Sequence, residues 1–177
     1  MSVALAAVSA LCLVNLALLF AVIRKVRLLG ERVDKVPVMA PAALLPVGSQ
    51  VPEFTAVTTN GESRSLADLA GSRSVVGFFS PNCQPCQVQV PQFIEFAKAL
   101  PGGVGHAFAV VVGEGTAAAG LAAELDGAAA VVITPARGPL IAAFSVRGFP
   151  AFYLVDPDGR IEARGMGIQA LGSPVPA

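Results

Sequence analysis

The sequence predicts an α/β domain on a largely parallel sheet, preceded by one apolar segment that can cross a membrane. Three observations point there. Short apolar runs, among them SVVGFF at 74–79 and HAFAVVV at 106–112, alternate with helix-forming stretches. That alternation is the pattern of strands buried on both faces between covering helices. Turn signals, Asn60-Gly61 and Asp156-Pro157-Asp158-Gly159, separate the runs. Finally, Val3 to Ile23 carries no charge at all.

The first element is that apolar segment. A helix rising about 1.5 Å per residue crosses a hydrocarbon core of about 30 Å in roughly 20 residues. No basic residue precedes the segment, whereas Arg24, Lys25 and Arg27 follow it directly. A cleaved signal peptide carries its basic region in front, so a retained single-pass anchor in the lipid bilayer is expected over residues 3–23. Cys12 lies inside the span and lacks a small residue before it, so it reads as an inert apolar thiol. The anchor with its basic flank occupies residues 1–34. Residues 35–47 form a linker in which Pro37, Pro41 and Pro46 prevent regular helix. The folded domain is expected over 48–165, and 166–177 is a short tail.

Within the domain, Glu53–Thr58 and the stretch after Gly61 form a hairpin, and Ser65–Leu69 a single helical turn. Ser74–Phe79 is the first buried strand. Gln84–Leu100 is a helix interrupted by Pro91 and ended by Pro101-Gly102-Gly103. His106–Val112 is the second buried strand, Thr116–Leu125 an alanine-rich helix, Ala129–Ile133 the third strand and Arg137–Phe144 a short helix. Ala151–Val155 and Arg160–Arg164 close the domain as an antiparallel pair.

Composition narrows the function. Twelve basic and twelve acidic side chains give a formal net charge of zero, so nothing favours nucleic acid. The apolar fraction is 54% and the mean hydropathy +0.69. Three cysteines are too few for a disulfide scaffold.

Two of them stand two residues apart, in Cys83-Gln84-Pro85-Cys86, where the first strand gives way to its helix. Such a pair can hold a metal, lock a structure or exchange electrons. Zinc would need two more ligands, and Cys12 and His106 make a poor set. A purely structural bridge over two residues would be tight. Exchange fits the position: unpaired N–H groups and the positive end of the helix dipole stabilise a thiolate at Cys83. Cys86, one turn on, can then resolve a mixed disulfide.

These residues carry a resemblance. CQPC, Pro91 five residues after Cys86, and Val146-Arg147-Gly148-Phe149-Pro150 resemble the thioredoxin-like superfamily over about residues 48–165. Within it, GSQVPEF and NGESRSLADL look most like the membrane-anchored TlpA-like and MauD-like branch, which is related to the alkyl hydroperoxide reductase and thiol-specific antioxidant group. The resemblance implies a thioredoxin-like fold and thiol–disulfide exchange with protein dithiols and disulfides, with no cofactor and no metal. It implies Cys83 as nucleophile, Cys86 as resolving thiol, and Phe149 and a cis Pro150 as substrate-binding residues. It also implies a membrane electron donor or acceptor, and a redox domain outside the cytoplasmic membrane. The basic cluster at 24–27 argues for the opposite side.

Several positions depart from the family pattern. Asn82 replaces a tryptophan, Gly77 a buried acid or amide used as proton relay, and Gln89 a glutamate. Two alternatives stand beside exchange. A thiol peroxidase would use Ser80 three residues before Cys83, yet Val76 stands where that chemistry wants proline. A non-catalytic docking module for maturation of another protein would tolerate loss of Cys83. Of the other polar residues, His106 reads as structural, and Glu114, Glu124 and Asp126 as solvated. Arg147 reads as a substrate contact or one half of a surface salt bridge.

Overall fold

The computed structural model describes residues 15–16 and 44–174. The chain divides into two units, Met1–Pro41 and Ala42–Ala177. In the first, Asn15 and Leu16 are helical and exposed. The remainder of the expected span at 3–23, its basic flank, Cys12 and residues 35–43 lie outside the described residues. Among the described residues no helix is long and apolar enough to cross a membrane.

The second unit is built on alternation. Strands β1 (Thr55–Val57) and β2 (Ser63–Ser65) pair antiparallel around Asn60-Gly61, where Gly61 takes the positive φ of 82° that the turn needs. A 3-10 turn, Leu66–Leu69, follows. The central sheet has the order β5-β4-β3-β6-β7, made of Ser74–Phe79 (β3), Ala107–Val112 (β4), Ala130–Thr134 (β5), Ala151–Val155 (β6) and Ile161–Gly165 (β7). β3, β4 and β5 run parallel, while β6 and β7 are antiparallel additions. This is the mixed sheet of a thioredoxin-like fold, with two of its four pairings parallel rather than most of them.

Every residue of β3, β4 and β6 is buried. Successive side chains point to opposite faces, so the SVVGFF run feeds two cores at once. Val75 and Phe79 join Phe93, Phe96, Leu121, Leu125 and Phe152 on one face. Val76 and Phe78 join Phe54, Phe108, Leu140, Phe144 and Tyr153 on the other. Helix α1 (Gln84–Ala99) and helix α2 (Gly115–Leu125) supply the first core, and helix α3 (Pro139–Ala143) the second. The packed residues run from Leu44, in the second core, to Leu171, in the first.

Four details differ from the sequence expectation. α1 is not interrupted: it continues through Pro91, which lies on the exposed face, so the ring displaces no core packing and only the Gln87 carbonyl loses its bond. His106 does not begin β4 but ends a 3-10 turn, Gly103–His106, entered through Gly102 at φ 94°. Its ring lies over that glycine, where an added Cβ would sit 2.5 Å from the imidazole. α3 is shorter than expected, because Gly138 and Pro139 delay its start. A 3-10 turn at Ile168–Leu171 lies in the stretch read as tail, with both end residues buried.

Both edges of the central sheet are covered in part. On the β5 side the hairpin loop donates Thr59 N–H to the Val131 carbonyl at 2.8 Å. On the β7 side the chain at 48–50 bonds Ile161 in both directions, and Gln50 bridges Arg160. Arg73, just before β3, clasps Glu162 of β7, which raises the guanidinium pKa.

Candidate functional site

β3 ends at Phe79, and the turn Ser80–Cys83 is closed by Cys83 N–H donating to the Ser80 carbonyl at 3.2 Å. Cys83 is the N-cap of α1, in extended backbone, and its Sγ accepts from the Cys86 N–H at 3.2 Å. The sulfur therefore occupies the cap position that a Ser or Asp oxygen fills in other helices. Pro85 sits in the first turn, where its missing N–H costs nothing. Cys83 and Cys86 are joined as a disulfide. Cys83 is half-buried and Cys86 has no exposed surface.

The Phe149–Pro150 peptide bond is cis. β6 pairs with β3 so that Ala151 faces Phe78, which brings Pro150 level with the end of β3, where the disulfide loop begins. Phe149 is half-buried and packs against both cores, and Cys83 packs against the first. Met166, 44% exposed, lies over Gly148, where an added Cβ would be 3.5 Å from its Cε. The predicted site residues Cys83, Cys86, Phe149 and Pro150 thus come together at one end of the sheet. His106 does not join them. It precedes β4, parallel to β3, and so sits at the opposite end, 3.5 Å from the Ser74 hydroxyl.

The departures at 77 and 89 have packing causes. Gly77 faces the first core. A Cβ there would meet the rings of Phe79 at 2.8 Å and Phe93 at 2.9 Å. Phe79 packs edge to face on Phe93 and on Phe152, at centroid distances of 5.2 and 5.5 Å, while Phe93 and Phe152 stack on each other. The volume of a buried acid is filled by aromatic carbon. Gln89 accepts from the Ile168 N–H at 2.9 Å and so ties α1 to the last 3-10 turn. Among the described residues no acid stands in the core beside Cys86, and the residue, itself without exposed surface, borders a cavity on another side. That cavity, between α1 and α2, has Cys86 and Gln87 on one wall, with Leu121 and Glu124 on the other. Glu124 is exposed, as the sequence led one to expect, but its place across the cavity from Cys86 was not legible in α2. Among the described residues no three His, Cys, Asp or Glu side chains converge as metal ligands would.

A disulfide at the start of a helix, beside a cis-proline on a mixed sheet, defines a protein of the thioredoxin-like class. The chain belongs to the AhpC/TSA family, whose model matches residues 47–164. It is 27% identical over 114 residues to the thiol-disulfide oxidoreductase ResA of Bacillus subtilis, covering 64% of this chain and 64% of that protein. The chain thus spans just under two thirds of that relative. Among solved structures, the thioredoxin domain of a thiol-disulfide oxidoreductase from Bacteroides vulgatus superposes with a TM-score of 0.60 at 26% identity, over 72% of this chain and 93% of that one. A thiol:disulfide interchange protein from a Bacteroides species gives 0.57 at 26%, over 68% and 81%.

Proposed function

We propose that this protein is a thiol–disulfide oxidoreductase acting on protein substrates through Cys83 and Cys86. The observation that carries the reading is the unequal exposure of two bonded sulfurs at a helix start. In the reducing direction the Cys83 thiolate attacks one sulfur of a substrate disulfide. A mixed disulfide forms and one substrate thiolate leaves. Cys86 then gives up its proton and attacks the Cys83 sulfur, which releases the second substrate thiolate and restores the Cys83–Cys86 bond. Two electrons pass from protein to substrate, and the oxidising direction is the same sequence reversed. Phe149 and Pro150 form the floor on which the substrate chain rests. The partner class is a maturing redox protein, and a membrane dithiol protein refills or drains the pair. Residues 3–23 tether the domain to the membrane, and the domain works on the extracytoplasmic side.

Alkylation of the reduced protein at mildly acidic pH tests the division of labour. Cys83 should react at least tenfold faster than Cys86, because the helix start lowers its pKa and burial hides its partner. Cys86→Ser should accumulate mixed disulfides with protein partners. Equal labelling rates, or trapping by Cys83→Ser alone, would overturn the assignment.

A further inference from the structure

Six arginines lie among the described residues, and four of them are engaged. Arg64 pairs with Glu62 and Asp68, and Arg73 with Glu162. Arg160 donates to the Gly48 carbonyl and Arg164 to that of Leu44. Arg137 and Arg147 have no ion-pair or hydrogen-bond partner among the described residues. Both are exposed, and both line one cavity, floored by Ile141 and Val146 and edged by Ser145. No carboxylate lines it. The chain creates this convergence by reversing after α3. Ser145 takes a φ of 52°, a left-handed value rare outside glycine, and the turn returns Arg147 toward the segment that carries Arg137.

Topology places the cavity beside the redox pair. β5 runs parallel to β4, which runs parallel to β3, while β6 is antiparallel to β3. The connection from β5 to β6, which holds the cavity, therefore lies at the end of the sheet from which Cys83 emerges. Arg147 is three residues before Pro150, so their Cα atoms are at most about 10 Å apart.

We propose that Arg137 and Arg147 form a carboxylate-binding subsite, which selects protein substrates carrying Asp or Glu two to four residues from the reactive cysteine. The proposal rests on the reading of Cys83 and Cys86 as an exchange pair. Two guanidinium groups left without internal partners in one concave site repel each other until an anion enters. Their planar forks match carboxylates. An extended substrate chain lying along the 148–150 loop would carry its flanking residues past Arg147. The contacts are exposed, so each is a modest gain, and the pair should change substrate affinity roughly three- to tenfold and fade with salt.

The test uses the full chain in detergent micelles and two disulfide peptides, identical except for Glu or Gln at the flanking positions. At low salt the acidic peptide should show a KM three- to tenfold lower than its neutral counterpart, at similar kcat. The gap should close at high salt. In R137Q/R147Q the two peptides should become equal, whereas Arg160→Gln, at a surface elsewhere, keeps the preference. A serine-for-cysteine version of the acidic peptide, followed by fluorescence anisotropy, reads the subsite without any exchange. Binding of that peptide and its loss in R137Q/R147Q would support the subsite even if no peptide were turned over. Equal KM values at low salt, or a preference that survives the double variant, would overturn it. So would binding of short-chain phosphatidylglycerol without binding of the acidic peptide, which would assign the arginines to a membrane surface.

Discussion

The hydroxyl of Tyr153 donates to the Phe144 carbonyl at 2.5 Å and ties β6 to the end of α3, just before Ser145. Burial pushes its pKa up to about 12. The neutral phenol is thus favoured in the folded state, and its stabilising contribution is complete below the unfolded value near 10. It is lost as pH rises from about 10 through 12. Since this is the chain's single tyrosine and there is no tryptophan, near-ultraviolet absorbance reports its ionisation directly. Unfolding and tyrosinate formation should coincide in that window, and Tyr153→Phe should lose that component of the alkaline transition. The variant leaves a buried carbonyl unpaired, at a cost of about 1–3 kcal/mol. Gln89 invites a second substitution. Gln89→Ala strands the Ile168 N–H and should lower Tm by roughly 3–8 °C through loosening of the 168–171 turn. An unchanged Tm, measured by circular dichroism, would mean that water replaces the amide fully.

β3 shows how much an element can disclose through its sequence. Six apolar or small residues in a row announced a strand buried on both faces, and its boundaries were legible to the residue. The other strands and the CxxC helix were legible within one residue, and the hairpin within two, for the same reason: period and turn chemistry are local. The cysteine pair and the Val146–Pro150 loop were legible as motifs. What is not local was hidden. Nothing in the sequence around Gly77 reveals that rings from Phe79 and Phe93 occupy the space beside it. Gly77→Ala should therefore cost about 1–3 kcal/mol from overpacking, and Gly77→Asp, which restores an acid, should cost more, because it also buries a charge among aromatic rings. Urea midpoints for the two variants check the order. The 168–171 turn was hidden as well, since Ile168 and Leu171 pack into a core built by elements distant in sequence, and Gln89 reaches over from α1 to the Ile168 N–H. Arg137 and Arg147 stand ten residues apart, and only the reversal at Ser145 brings them to one cavity.

At the scale of the whole molecule, the proposed tether at residues 3–23 sets charge against chemistry. The basic cluster at 24–27 favours a cytoplasmic domain, and a tethered exchange pair favours the outside. An alkaline phosphatase fused after Ala177 should be active and a cytoplasm-only reporter silent. The reverse pair of activities would place the exchange partners in the cytosol. A molecule held this way would live crowded among its own copies on one surface, where open strands are a hazard. A bare edge offers a row of N–H and C=O groups to any neighbour. Here Thr59 breaks that row on one side, and the chain at 48–50 occupies the start of the other. These few bonds act as bumpers. They let many domains stand side by side without knitting into a continuous sheet, and they discourage a partly unfolded client from annealing along β5 or β7.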